Sequence, residues 1–277
     1  MTLYIRLRSR EVGGSVVDPR VLEGDDPQSL RERSMLDIRH RVAGRSVVFG
    51  VHGFNVNQRE GVWALGRLEP LLGLGESDVF FGVLWPGDFW VPVINYPFEG
   101  SDARDSGRRL AALCRAELTE AASFSFISHS LGARVVLEAV RRLDRKARAV
   151  CLTAGAIDRD CLTKEYKDAF ENAELVSVLA SRGDRVVQLA FPLGDFFSDL
   201  FRRSQDVRGG LGYNGPPRPV GATVPPWQIP DAADYGHGDY LPPSTPAIDP
   251  ERQQKAKWMQ PAGFMRRTLR GERQTWP

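Results

Sequence analysis

A chain of 277 residues, 42% hydrophobic and 26% charged, has the composition of a soluble globular protein and the length of one large α/β domain. Its net charge of +2 gives no electrostatic case for a nucleic-acid partner. The basic residues are 32 Arg and 5 Lys, scattered without a block, and no stretch approaches the ~18 apolar residues of a membrane span.

The opening "MTLYIRLRSREVGG" has a short apolar run broken by Arg6 and Arg8, so no secretory signal is expected and the protein is read as cytoplasmic. "LYIRLR" (3–8) alternates like a first or edge strand. "SVVFGVH" (46–52) and "VFFGVLW" (79–85) are continuous apolar runs, the pattern of strands covered on both faces. Between them Val62, Leu65, Leu68 and Leu71 recur at helical spacing, and 106–121 is a clear amphipathic helix. A strand at 123–128 leads into a helix at 131–143, followed by strands at 147–157 and 174–181. This alternation predicts an α/β fold: a mostly parallel central sheet with helices on both faces. After residue 200 the chain is rich in Gly and Pro, which predicts a long loop, and 250–270 suggests a C-terminal helix. Cys114, Cys151 and Cys161 have no CxxC spacing and read as buried, reduced thiols with no metal role.

The stretch "SFSFISHSLGARVVLEAV" (123–140) turns from strand to helix at Ser130. A strand that bends sharply into a helix lifts the turn residue above the carboxyl edge of the sheet, where open α/β sheets bind ligands. Small residues must flank the bend, and Ser128 and Gly132 do so. The setting matches the nucleophile elbow G-x-S-x-G, with Ser128 in place of the first glycine. A serine that only caps the helix gives the same five residues.

Three more stretches bear on this choice. His52-Gly53-Phe54-Asn55 ends a buried strand ahead of a helix; His52 reads as a loop-ordering histidine. Asp184 follows the strand 174–181 in "SRGDRVV", and Asp158 follows the strand 147–157 in "AGAIDRD". Gly183 frees the turn at Asp184, and Val186-Val187 can shield its carboxylate, whereas Asp158 lies in a polar stretch. Asp184 is therefore the expected acid. Of the four histidines, only His237, in "DYGHGDYL", follows both Ser130 and Asp184, giving the order Ser, Asp, His.

With these pieces in order the chain resembles serine hydrolases of the α/β-hydrolase superfamily. It resembles in particular a bacterial esterase-like branch with HGFN (52–55), a Trp-Pro (85–86) and HSLG (129–132). The resemblance implies one α/β-hydrolase domain over 1–277, with a cap segment at 86–105 and a C-terminal extension at 242–277. It implies Ser130 as nucleophile, His237 as base, Asp184 as acid, and an oxyanion hole from the backbones of Phe54 and Leu131. Such a site needs no metal and no organic cofactor. Its partner is a small-molecule acyl substrate, and a homo-oligomer is compatible with it. Trp85, Phe89 and Trp90 are candidate pocket walls, though the aromatics of 86–98 equally suit packing on the sheet; 191–201 is a second candidate wall. An acyltransferase with the same triad, a lipase acting at membranes, and a non-catalytic binding protein on this fold remain the alternatives to ester hydrolysis.

Overall fold

A computed structural model describes residues 1–9, 14–88, 96–190, 210–217, 228–248, 256–273 and 276. The side chains of 96–100 and 188–190 are outside it. The sheet contains β1 (Thr2–Arg8), β2 (Val16–Gly24), β3 (Arg31–Arg33), β4 (Ser46–Val51), β5 (Asp78–Leu84), β6 (Ser123–His129), β7 (Ala149–Thr153), β8 (Val176–Ser181) and β9 (Gln228–Ile229). The helices are α1 (Met35–Val42), α2 (Gln58–Leu68), α3 (Tyr96–Glu117), α4 (Gly132–Val140), α5 (Lys167–Glu171), α6 (Arg185–Ala190), α7 (Leu211–Asn214) and α8 (Met259–Leu269). Among the described residues no helix is long and apolar enough to cross a membrane.

The strand order is β3-β2-β1-β5-β4-β6-β7-β8-β9. From β1 through β5 to β9 neighbouring strands are parallel; β2 and β3 are antiparallel additions. The chain steps from β4 outward to β5, then returns across β4 to lay down β6. The crevice between the carboxyl ends of β4 and β6 is therefore the topological switch point of the sheet, the place such sheets use for ligands.

The apolar strand runs follow from burial on both faces. Phe49, Phe81, Phe124 and Phe126 point into one core, closed by α1, α3, α4 and α5, and Phe49 stacks on Phe126 with ring centroids 5.0 Å apart. Val48, Phe80 and Ile127 point into the other, closed by α2 and by Phe264, Met265 and Leu269 of α8. Helix α2 starts where Asn57 and Glu60 cap each other's backbone N–H groups. Helix α4 is buried along its whole length, and seven of its nine residues are apolar or glycine. Its two charged residues are paired: Arg134 with Glu165, and Glu138 with Arg142.

Three expectations need correction. Of the two readings of the strand 3–8, first holds and edge does not, because β2 and β3 lie outside it. The helix at 106–121 begins earlier, at Tyr96, and ends at Glu117. The Gly/Pro-rich region contains regular structure after all: α7, whose Leu211 is buried against Gly155, and the two-residue β9 beside β8.

Candidate active site

The site is built on strand ends at the switch point. Strand β6 ends at His129, and Ser130 adopts φ +55° before α4 begins. A side chain in the left-handed region is strained. The turn is held by Ser130 N–H donating to the Thr153 carbonyl at 3.0 Å, and by the Ser130 carbonyl accepting from Ala133 N–H at 3.1 Å. Gly132 is required by space: a Cβ there would lie 2.5 Å from the His52 carbonyl oxygen. The helix-cap alternative does not describe this geometry, since the residue preceding α4 is Leu131 and its start has no side-chain cap bond.

Around Ser130 three side chains from distant parts of the chain form one hydrogen-bonded line. His237 Nε2 lies 2.9 Å from Ser130 Oγ, and His237 Nδ1 lies 2.7 Å from Asp184 Oδ2. A carboxylate can only accept, so Nδ1 carries the proton and Nε2 is left to accept from the serine. Asp184 has no exposed surface. Its second oxygen accepts Val187 N–H at 3.0 Å, so the same carboxylate caps the start of α6. Asp158 is not part of this line. It bridges to Gly210 through its backbone, and burial, followed by the charge of Asp160, raises its carboxyl to about 6.

The loop after β4 comes up against the elbow. A Cβ on Gly53 would sit 2.8 Å from Ser130 Cβ, so only glycine lets the backbone pass there, and Phe54 follows it. Among the described residues nothing accepts from the Leu131 N–H at the start of α4. His52 orders this loop. Its Nδ1–H donates to the Gly53 carbonyl at 2.8 Å, and its Nε2 accepts from Trp85 N–H at 3.3 Å. Burial holds the ring neutral by lowering it to about 4.

Trp85 is displaced from its expected role as a pocket wall. It is wholly buried in the first core, stacked on His52, with its indole N–H donating to the His52 carbonyl at 2.9 Å. It supports the loop from beneath and has no surface to offer a substrate. Phe89, Trp90, Ile94, the side chains of Tyr96 and Phe98, and the segment 191–201 lie outside the described residues.

Two supports of the site were not anticipated. His129, read only as part of HSLG, donates from Nε2 to the carbonyl of His237 at 2.8 Å, with the two rings 4.8 Å apart. Burial, reinforced by the charge of His237, lowers its ring to about 3. Arg8 and Asp88, 80 residues apart, form a buried pair at 2.8 Å, and Arg8 also reaches the Val56 carbonyl at 3.5 Å. This pair ties the loop after β4 to the loop after β5, where Asn55, at φ +56°, donates to the Gly87 carbonyl. Residues so far apart along the chain carry no local motif; only the polarity of HSLG could have drawn attention to His129.

A family model described as α/β hydrolase of unknown function, DUF900, matches residues 29–196. The chain belongs to this family of α/β hydrolases. No curated protein matches the sequence. Among solved structures this hydrolase is similar to a hydrolase of the alpha/beta superfamily from Xanthomonas campestris, at 15% identity and TM-score 0.39. That match covers 82% of this chain and 100% of that one. It is similar also to esterase PE8, at 18% identity and TM-score 0.42, covering 82% and 94%. A dienelactone hydrolase-like promiscuous phosphotriesterase from metagenomic libraries matches at 14% identity and TM-score 0.40, covering 97% and 99%.

Proposed function

We propose that this DUF900 hydrolase is a serine hydrolase that cleaves a carboxylic ester or related acyl bond through an acyl-enzyme. The observation that carries the reading is the unbroken line from Ser130 Oγ through His237 to Asp184, at 2.9 and 2.7 Å, on a serine held at positive φ. In this reading His237 Nε2 takes the hydroxyl proton as Ser130 Oγ attacks the acyl carbon. Asp184 keeps the imidazole in the Nδ1–H tautomer and stabilises the imidazolium. The carbonyl oxygen, now negative, is met by the N–H groups of Leu131 and Phe54, each worth roughly 10²–10³ in rate for a hole of this kind. Proton return from His237 to the leaving oxygen completes acylation, and water attacking by the same route frees Ser130. His129 acts as a positioning residue that keeps the His237 backbone in place. The whole chain, 1–277, is taken as one domain, with 86–105 as cap and 242–277 as an extension that brings α8 to the second core. The protein is taken as cytoplasmic.

The test is labelling by a fluorophosphonate probe, together with turnover of p-nitrophenyl esters of increasing chain length. The wild type should label and turn over, and Ser130→Ala should do neither while melting near the wild-type temperature. Undiminished labelling of Ser130→Ala would refute the assignment. Wild-type protein that neither labels nor turns over any ester would favour a binding role for the fold.

A further inference from the structure

At the opposite edge of the sheet, where the parallel strands begin, a cavity of about 200 Å³ opens beside the last turn of α8. Three arginines line it: Arg148, just before β7, and Arg266 and Arg270, one helical turn apart. Among the described residues none of the three is paired with a carboxylate. The one acid in the wall, Asp78, has its Oδ2 occupied by Gly75 N–H at 2.8 Å. The floor contributes Ser125, 3% exposed, whose hydroxyl makes no hydrogen bond among the described residues.

Chance placement explains part of this and not the rest. Cations near a helix C-terminus are favoured by its dipole, which accounts for Arg266 and Arg270 taken alone. It does not account for Arg148 arriving beside them from another element, which leaves three cations facing the single carboxylate of Asp78. The stem of Arg266 lies against Gly73, a glycine whose φ of +59° ends the turn at 69–72, and a Cβ there would come 2.9 Å from Arg266 Cδ.

We propose that this cavity binds a phosphate monoester. A monoester carries close to two negative charges at neutral pH and several acceptor oxygens, which suits several guanidinium forks better than a single carboxylate does. Ser125 supplies a neutral donor at the floor. The volume leaves room for a short organic stem. The same headgroup chemistry exists on soluble metabolites and on phosphatidic acid, and the experiment separates them.

Binding is measured on the full chain by calorimetry with glycerol 3-phosphate at fixed ionic strength, and by flotation with phosphatidylcholine vesicles containing phosphatidic acid. The wild type should bind at least one probe saturably, with Kd below about 1 mM for the soluble one. Binding to glycerol 3-phosphate assigns a soluble ligand, and binding to vesicles alone assigns the lipid headgroup. Arg148→Gln combined with Arg266→Gln should weaken binding tenfold or more, and Ser125→Ala about tenfold, as loss of a charge-assisted hydrogen bond does. Ester turnover should not change in any of these variants, because none touches the site around Ser130. No saturable binding to either probe, or binding that the double variant leaves intact, would overturn the proposal. Neither outcome depends on whether Ser130 is a nucleophile.

Discussion

The loops after β7 and β8 lie side by side at the carboxyl edge of the sheet, and each carries an aspartate. Asp184 is completely buried, yet both of its oxygens are engaged, one by His237 and one by the backbone of Val187. Asp158 is only half-buried, and its carboxylate makes no hydrogen bond among the described residues. Burial raises its carboxyl to about 6, and Asp160 adds to the effect. A carboxylate taken fully out of water needs partners, and one left at the edge of water can be tolerated without them. Position on the sheet therefore does not separate the two residues; what each oxygen touches does.

The sharpest way to break this comparison is to neutralise each carboxylate without changing its shape. Asp184→Asn should reduce ester kcat by up to ~10⁴, because an amide in that place favours the wrong imidazole tautomer. Asp158→Asn should stay within a few-fold of wild type. Circular dichroism on both variants checks that they are folded. If the loss fell on Asp158→Asn instead, the acid of the proposed mechanism would move to the loop after β7.

How far these features could be read from sequence follows from how local they are. Strands β4 and β6 were legible because a parallel strand buried on both faces is apolar throughout, and Ser130 because the elbow packs its signal into five residues. Strand β2 was hidden: "VVDPRVLEG" is only half-buried or exposed over its first five residues, and Pro19 sits at the irregularity where pairing to β1 shifts register between Arg6 and Arg8. Helix α1 was missed although Ser34 caps it through Asp37 N–H, since most of its surface is polar. The His129 contact was beyond reach for another reason. It joins a ring to a main-chain carbonyl 108 residues away, and no side-chain pattern encodes a carbonyl.

The two neutral histidines extend the comparison to groups whose partners are backbone atoms. His52 is lowered to about 4 and His129 to about 3, in both cases chiefly by burial. The unfolded chain takes up a proton on each near pH 6.5, so the folded state binds fewer protons than the unfolded state below that pH. Stability contributed by their neutral forms is present above pH 6.5 and is lost as pH falls toward 4 and 3. For His52 alone a shift of this size corresponds to about 3 kcal/mol. Urea midpoints between pH 7 and pH 4 should therefore fall steeply. In His52→Gln, which cannot charge, the fall should be shallower even if the pH 7 stability is lower. Parallel slopes for the two proteins would show that His52 is not the group that titrates.

Ser128 and Ser130 give the smallest and most local form of the same contrast. They are two residues apart, exposed by 0% and 4%. Ser130 Oγ faces His237, while Ser128 Oγ is buried with no hydrogen-bond partner. Only the backbone of Ser128 is engaged, its carbonyl accepting from Thr153 Oγ1 at 2.8 Å. A buried hydroxyl without a partner costs roughly 1–3 kcal/mol relative to a satisfied one. Alanine removes that oxygen and leaves a side chain smaller than serine, so it fits the same space without strain. Ser128→Ala should therefore stabilise the protein by about 1 kcal/mol, measured by urea unfolding, and leave kcat/KM within a few-fold of wild type. Ser128→Gly should show less benefit, because glycine inside a strand loses roughly 0.5–1 kcal/mol to backbone entropy. A drop in turnover of 10² or more in Ser128→Ala, with the fold intact, would mean that the hydroxyl donates to the reaction in a geometry other than the one seen here, and the distinction between partnered and unpartnered groups would fail at the elbow itself.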